Sequence, residues 1–481
     1  MSAPAEGRIQ SGRLAGKTLR EAIWILSWPV MLQQFMLAGV GFVDKLLAGN
    51  LPSSISVAAL DGVGVGTYVG WFMGIALGGL GIGGQAIIAR AMGAGRPAEG
   101  DAALGAAMTL SVLWGALMAA ALWFAAAPLA WLASLSPEAT GYCITYVRVS
   151  AISMPAAGIL TVGGLCLHGA GETKAASVIS MVVNATNLVL AWLLSGVEVR
   201  LGGVALPHPL PIDPERWGVL GIAAGGSLSS VVGAVLTMRV LFRGVRDLRL
   251  HRAALKPPAH LSWRIARVGI PTFMEGIAMW SVSLFVMSFI GMAAQHGDDG
   301  LHAGLVGAHT IAVQWESFSF LPGYAMGTAA GALAGQALGA GNPRMARRAI
   351  WVCTGIGILI MGSMGILFMT EGRLLTSIIS TQPVHLEQVP PLLFLAGLAQ
   401  PFFALSMTVR QGLRGAGDSM WILVLTFIST WLIRLPAAWF LGVHLQLGLR
   451  GIWMGLCGEL VIRGMLYLGR FSTHAWEKVR V

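Results

Sequence analysis

The sequence predicts an all-α membrane protein, with about twelve transmembrane helices arranged as two parallel six-helix repeats around a central cleft. Three observations lead to this fold class. Hydrophobic residues make up 56% of the 481 positions, and charged residues only 11%. The apolar residues lie in long continuous runs, and short motifs of the first half recur in order in the second. Such an apolar composition is typical of chains whose solvent is lipid.

Each apolar run is long enough to cross a bilayer, because a transmembrane helix needs about 20 predominantly apolar residues. Continuous runs favour helices over a barrel, whose strands alternate apolar and polar residues. The two longest runs exceed one bilayer thickness and are expected to tilt or bend. The predicted spans are 22–48, 55–92, 102–127, 139–167, 176–197, 217–241, 267–293, 304–337, 348–370, 390–412, 420–443 and 451–470.

The net charge of +10 has a topological explanation. Basic residues concentrate in the turns on one side of the predicted membrane, and the largest group lies in segment 242–266. This asymmetry is the positive-inside bias, which predicts cytoplasmic termini and disfavours nucleic-acid binding. Besides that segment, the turns assigned to the cytoplasmic side carry Arg90, Arg96, Lys174, Arg344, Arg347, Arg348, Arg410 and Arg414.

An internal duplication determines the predicted architecture. Segment 93–97 recurs at 339–343 and segment 167–173 recurs at 413–419, both 246 residues later. The first predicted helix of each half contains a proline, and these two prolines, Pro29 and Pro271, are 242 residues apart. Gly221-Ile222 recurs 230 residues later as Gly451-Ile452. Because each repeat crosses the membrane an even number of times, both halves begin on the same side and lie parallel. Parallel repeats enclose a central cleft, and rocking of one half against the other opens this cleft to alternate sides of the membrane.

The duplication also predicts the domain boundaries. An N-terminal six-helix lobe spans 1–241, a basic cytoplasmic linker spans 242–266, and a C-terminal six-helix lobe spans 267–481. The chain contains no HExxH or GxSxG motif and no clustered His/Cys set, so we expect neither an enzyme nor a resident cofactor.

Carboxylates inside the spans are the strongest functional signal, because a charge at the bilayer centre costs at least about 2.5 kcal/mol. Asp44 lies late in the first helix, Glu275 lies one turn after Pro271, and Glu316 lies in the eighth helix. Such a carboxylate binds either a proton or a sodium ion. An organic cation competes for the same negative charge, which is a simple physical basis for antiport. The alternative positions are the outer interface beside Lys45 for Asp44 and the cytoplasmic helix end for Glu275.

Other residues inside the spans complete the candidate site. Trp280 and Trp315 are candidates for stacking on flat cations. Gln33 and Gln314 are further candidates for substrate contact. Glu316 either adds a charge beside Trp315 or pairs with a membrane arginine. Arg434, two residues before Pro436, is expected to make a structural ion pair or to cap carbonyl groups.

An ordered set of motifs in both halves resembles the multidrug and toxic compound extrusion (MATE) transporters. The motifs are Pro29 with Val43-Asp44, Gly84-Gln85 to Arg96, Gly335 to Asn342, Gly169 to Thr173, Gly415 to Asp418, Asn184 and Arg434-Leu-Pro436. The resemblance implies a bacterial inner-membrane antiporter that exports hydrophobic cations in exchange for sodium or protons, with cation-linked carboxylates at Asp44 and Glu275. It also implies structural or gating roles for Asn184, Arg434, Pro29 and Pro271.

Two departures from the family pattern affect the ion site. Ala191 stands where members often have an aspartate in the fifth helix, and the tenth helix lacks the carboxylate that some relatives have. Lys45, directly after Asp44, also departs from the usual small polar residue and can neutralise the charge of Asp44. The coupling site in the first half therefore looks incomplete, and the sequence favours Glu275 for ion coupling. Sodium and proton remain alternatives, and a monomer suffices for the mechanism.

A second hypothesis is a lipid-linked saccharide flippase of a related fold. Its cleft is expected to hold more cationic residues, which bind phosphate. Away from the ends of the predicted spans, acids outnumber bases: the acids are Asp44, Asp61, Glu275, Glu316 and Glu459, and the bases are Arg148, Arg434 and Arg463. The sequence therefore favours the exporter over the flippase.

Overall fold

A computed structural model describes residues 16–52, 54–132, 137–201, 204–245, 247–295, 305–379 and 383–479. These residues are almost entirely helical. The α-helices are α1 (Leu19–Gly49), α2 (Ser56–Gly93), α3 (Pro97–Leu132), α4 (Pro137–Ile152), α5 (Met154–Gly169), α6 (Thr173–Ser195), α7 (Pro214–Arg243), α8 (Ala259–Gln295), α9 (Leu305–Gly339), α10 (Pro343–Thr370), α11 (Gly372–Ile379), α12 (Pro383–Gly415), α13 (Ser419–Phe427), α14 (Leu435–Trp439) and α15 (Gly448–Ser472).

The predicted spans all coincide with helices, which confirms the fold class. Among the described residues, nine helices are long and apolar enough to cross a membrane, or ten if the bent pair α4 and α5 forms one span. That pair bends by 58° and matches the fourth predicted span. The long helices α1 and α9 match the first and eighth spans, so the structure is consistent with a twelve-helix layout in two repeats.

The eleventh predicted span is a composite helix. Two π-helical segments, Ile428–Arg434 and Phe440–His444, flank the short helix α14. Pro436 lies in α14 and has no backbone N–H to donate, and π-turns are one way a helix accommodates such a disruption.

Short elements outside the spans were not predicted. Two strands, β1 (Val199–Leu201) and β2 (Val204–Leu206), form a small antiparallel hairpin in the long loop before α7. Short 3-10 helices follow α7 at Arg252–Leu255 and α15 at Ala475–Lys478. These elements are too short to change the all-α class.

The duplicated glycine motifs build equivalent helix ends. The four glycines Gly95, Gly171, Gly341 and Gly417 have positive φ angles of 67°, 79°, 71° and 92°. The residue after each of them donates its N–H to a carbonyl five residues earlier, as from Arg96 to Ala91 at 2.9 Å. This left-handed helix ending strongly favours glycine, which explains why the motif recurs in both halves.

The chain forms two compact units. The C-terminal unit comprises residues up to 31, 89–96 and 270 onward, and the N-terminal unit comprises 32–88 and 97–269. The hydrophobic core of the C-terminal unit includes Ile350, Val409 and Tyr467. In the N-terminal unit, separate clusters form around Val63 and around Cys143. The lobe boundaries at 241 and 267 stay a prediction.

One helix crossing within the C-terminal unit shows the repeat symmetry directly. A Cβ on Gly93 would lie 1.9 Å from the Gln336 carbonyl oxygen, and one on Gly339 would lie 2.1 Å from the Arg90 carbonyl oxygen. Gly93 and Gly339 are repeat equivalents, and so are Arg90 and Gln336. The contact is therefore reciprocal, and each helix end accommodates no side chain at this point.

Candidate functional site

The C-terminal unit contains a carboxylate that is completely enclosed by hydrogen-bond donors. Glu275, on α8, is only 1% exposed. Its Oε1 accepts hydrogen bonds from Arg410 Nη1 at 3.2 Å and from Thr426 Oγ1 at 3.1 Å. Its Oε2 accepts a hydrogen bond from Arg414. Thr426 also shares a hydrogen bond with Tyr467 across 2.5 Å.

This group of residues, the Glu275 cluster, carries two guanidinium groups for one carboxylate. Its net charge is therefore positive, which disfavours the binding of a further cation. Separating a buried ion pair by removing one partner is strongly destabilising, because the other charge then stays buried without compensation. The geometry is that of a structural ion-pair network.

The assignment of Arg410 and Arg414 to a cytoplasmic turn was wrong. Both lie in the last turns of α12, and their side chains are only 14% and 11% exposed. Hydropathy places charged residues outside a span, but Glu275 supplies the counter-charge that lets these two remain inside the helix. Their spacing of four residues puts both on one helix face.

A second charged group, the Glu459 cluster, lies in the same unit. Glu459 pairs with Arg434 at 2.7 Å and with Arg463 at 3.3 Å. Glu316 interacts electrostatically with both arginines. In the described part of the chain, however, no direct ion pair reaches the Glu316 carboxylate. Arg434 thus has an ion-pair partner, and Glu316 is the less engaged of the two carboxylates.

The residues before Glu316 differ in their surroundings. Trp315 donates its indole N–H to the Leu375 carbonyl at 3.1 Å and packs against the buried core. Gln314 is exposed. The Trp280 side chain lies outside the described residues, as does that of Lys45. Pro29 and Pro271 both lie inside their helices, α1 and α8.

The N-terminal unit contains a carboxylate with much weaker support. Asp44, on α1, is 9% exposed, and its Oδ2 accepts a hydrogen bond from the Tyr146 hydroxyl at 3.4 Å. Oδ1 is buried and has no hydrogen-bond partner among the described residues. Gly66 makes room for the Tyr146 ring, since a Cβ there would lie 2.4 Å from Tyr146 Cδ1. Within the described residues, no basic group pairs with Asp44.

Other polar atoms in the N-terminal unit are also unpartnered. Buried Gln33 Oε1 and Asn184 Nδ2 have no hydrogen-bond partner. Ala191 is fully buried and packs against the backbone of Gly225, where a Cβ would lie 2.4 Å from the Ala191 nitrogen. Among the described residues, the interior of this unit therefore combines unsatisfied polar atoms with the unpaired acid Asp44.

Sequence reasoning missed the partners of both carboxylates. Thr426 and Tyr146 are more than 100 positions away from the acids that they contact. Their positions gave no local signal. The pair Glu459 and Arg463 had one, because residues four apart on a helix lie on the same face.

Comparison with known proteins finds relatives over most of the chain. The MatE family model matches residues 29–193 and again 271–440, once in each half. A probable multidrug resistance protein NorM of Thermotoga maritima is 26% identical over 96% of this chain and 94% of its own length. The multidrug resistance protein PmpM of Pseudomonas aeruginosa is 26% identical over 95% of this chain and 91% of its own length.

Solved structures show the same fold. A crystal structure of MATE in the bent conformation superposes with a TM-score of 0.83 and 21% sequence identity. The match covers 95% of this chain and 96% of that one.

Proposed function

This chain belongs to the MatE family of membrane transporters, and on that premise we propose that it exports hydrophobic or organic cations in exchange for sodium or protons. Its cargo would include drugs and xenobiotics, moved by alternating access. The names of the relatives as multidrug resistance proteins support this proposal. The proposed location is a bacterial inner membrane, with both termini cytoplasmic and the monomer as the working unit.

Asp44 is the proposed coupling residue, and its unpaired buried carboxylate is the observation that carries the proposal. A charge held away from water attracts a proton, a sodium ion or an organic cation, because no counter-charge from the described residues neutralises it. The sequence favoured Glu275 for this role. Two arginines already compensate the charge of Glu275, so we propose Asp44 as the coupling residue instead.

Cargo contact is proposed for the polar and aromatic residues that the sequence indicates. Gln33 provides a buried carbonyl oxygen that has no partner. Glu316 provides a carboxylate without a direct ion pair, and Gln314 and Trp315 are adjacent to it in sequence. Trp280 stays a candidate from the sequence alone. Asn184, Pro29 and Pro271 keep their proposed structural or gating roles.

A lipid-linked saccharide flippase is the second candidate, and one observation favours it. Arg410 and Arg414 carry two positive charges in the interior of the C-terminal unit, and Glu275 balances one of them. Arginine binds phosphate well, so an anionic cargo gains some support from this excess.

Transport by the purified protein in liposomes tests the proposal. Ethidium movement would be measured under a sodium gradient and, separately, under a pH gradient. We expect one gradient to drive transport by the natural protein, and Asp44→Asn to abolish the driven component. Full gradient-driven transport by Asp44→Asn would contradict the assignment. Absence of ethidium transport, together with rescue of a flippase-deficient strain, would favour the second candidate.

A further inference from the structure

The internal duplication relates four members of the Glu275 cluster to positions in the N-terminal unit. The proline register relates Glu275 to Gln33, and the 246-residue register relates Arg414 to His168 and Arg410 to Gly164. The 230-residue register of the last helices relates Tyr467 to Thr237. In the N-terminal unit, neutral residues thus replace every charged member of the cluster.

The polar atoms at these neutral positions are not satisfied. His168 is 4% exposed, and neither of its ring nitrogens has a hydrogen-bond partner. Thr237 is 1% exposed, and its Oγ1 has no partner. Gln33 Oε1 is likewise buried and unpartnered. In the Glu275 cluster, by contrast, the equivalent Glu275, Arg414 and Tyr467 are hydrogen-bonded within the cluster.

The position equivalent to Arg410 is Gly164, and the space around it is open. Gly164 lies one turn before His168 on α5, so the two residues share a helix face. A Cβ on Gly164 would meet no atom within 4 Å. The C-terminal unit has the long Arg410 side chain at this position, and the N-terminal unit has none.

We propose that the N-terminal unit holds a buried water site at His168, where ordered water molecules hydrogen-bond to the imidazole and to Gln33 and Thr237, which the repeat register places around it. The neutral imidazole of His168 provides one donor and one acceptor. The Thr237 hydroxyl can both donate and accept, and the Gln33 carbonyl oxygen accepts. Buried water typically makes two to four hydrogen bonds to such otherwise unsatisfied groups. Water therefore matches this set of donors and acceptors.

Charged ligands match this set less well. The equivalent positions hold no carboxylate to balance a bound cation or an imidazolium. Nor do the described residues contain a group of three His, Cys, Asp or Glu side chains that could bind a metal ion. The site does not include Asp44, the proposed coupling residue, and it shares Gln33 with the proposed cargo contacts.

Hydroxyl-radical footprinting of the purified protein in nanodiscs, read by mass spectrometry, tests this site. Radiolysis converts bound water to hydroxyl radicals in place, so a side chain beside buried water is oxidised although bulk solvent does not reach it. His309 is the matched control, because it is also buried, at 8% exposed, but its Nδ1 accepts the Trp453 indole N–H at 3.1 Å. We expect His168 to be oxidised several-fold faster than His309. Equal rates would overturn the proposal.

A space-filling variant provides the second measurement. Gly164→Leu is expected to slow the oxidation of His168 by displacing water from the adjacent space. Gly362→Leu is the matched control, because a Cβ there also meets no atom within 4 Å but lies on α10. This control should leave the His168 rate unchanged. If Gly164→Leu folds, as monomeric elution in size-exclusion chromatography would show, and yet leaves the His168 rate unchanged, the water does not lie at Gly164 and the proposed site is wrong.

Discussion

The two buried carboxylates on the equivalent helices α1 and α8 have opposite surroundings. Glu275 accepts hydrogen bonds from two arginines and a threonine, whereas Asp44 accepts one long hydrogen bond from a tyrosine. The two acids do not occupy equivalent repeat positions, since the proline register relates Glu275 to Gln33. Glu275 is already paired with two arginines, whereas Asp44 has no basic partner among the described residues. The coupling role is therefore proposed for Asp44.

Substitution of Glu275 should have the largest effect on stability. Glu275→Gln leaves two buried guanidinium groups without their counter-charge, and breaking a buried ion pair in this way costs about 3–5 kcal/mol. The free energy of unfolding, measured by denaturant titration in detergent micelles, should fall by that amount. Glu371→Gln, at an exposed acid near the end of α10, is the control and should change it by less than about 0.5 kcal/mol. A Glu275→Gln protein as stable as this control would remove the distinction between the two halves.

A double variant sharpens the same point. If the loss in Glu275→Gln comes from uncompensated positive charge, removing one arginine as well should recover part of it. Contacting residues in one network show coupling energies of about 0.5–3 kcal/mol. We therefore expect Glu275→Gln with Arg414→Gln to be more stable than the sum of the two single losses predicts. Strict additivity would show that Arg414 does not interact with Glu275.

Substitution of Asp44 should affect transport far more than stability. Asp44→Asn removes a charge that no described basic residue pairs with, so we expect the free energy of unfolding to change by less than about 1 kcal/mol. Gradient-driven ethidium export should nevertheless be lost. The two measurements on one protein preparation separate a coupling role from a structural one. A stability loss as large as that of Glu275→Gln would place Asp44 in the same structural class.

The sequence predicted the helices well and the charge partners poorly, for a physical reason. Hydropathy reports the average environment of about 20 residues, so the spans were found. It assigns each charged residue by itself, so Arg410 and Arg414 were placed in a loop although Glu275 makes their burial favourable. Ion pairs between distant segments depend on how helices pack, which one sequence does not reveal. The repeat register was the exception, because it related Gln33 and His168 to the Glu275 cluster.

The smallest effect is expected at Tyr146. Its hydroxyl lies 3.4 Å from Asp44 Oδ2, at the long end of the range in which hydrogen bonds are effective. Tyr146→Phe should therefore lower the free energy of unfolding by about 0.5 kcal/mol, the low end of the net value of a hydrogen bond. It also removes the one hydroxyl donor that reaches the Asp44 carboxylate in the described part of the structure. We expect gradient-driven export to persist in Tyr146→Phe at a reduced rate, because Asp44 keeps its carboxylate but loses a hydrogen bond that orients it. The reduction should be absent in Tyr142→Phe, the matched control on the same helix α4. An unchanged rate in Tyr146→Phe would show that the hydroxyl does not act on Asp44 during transport.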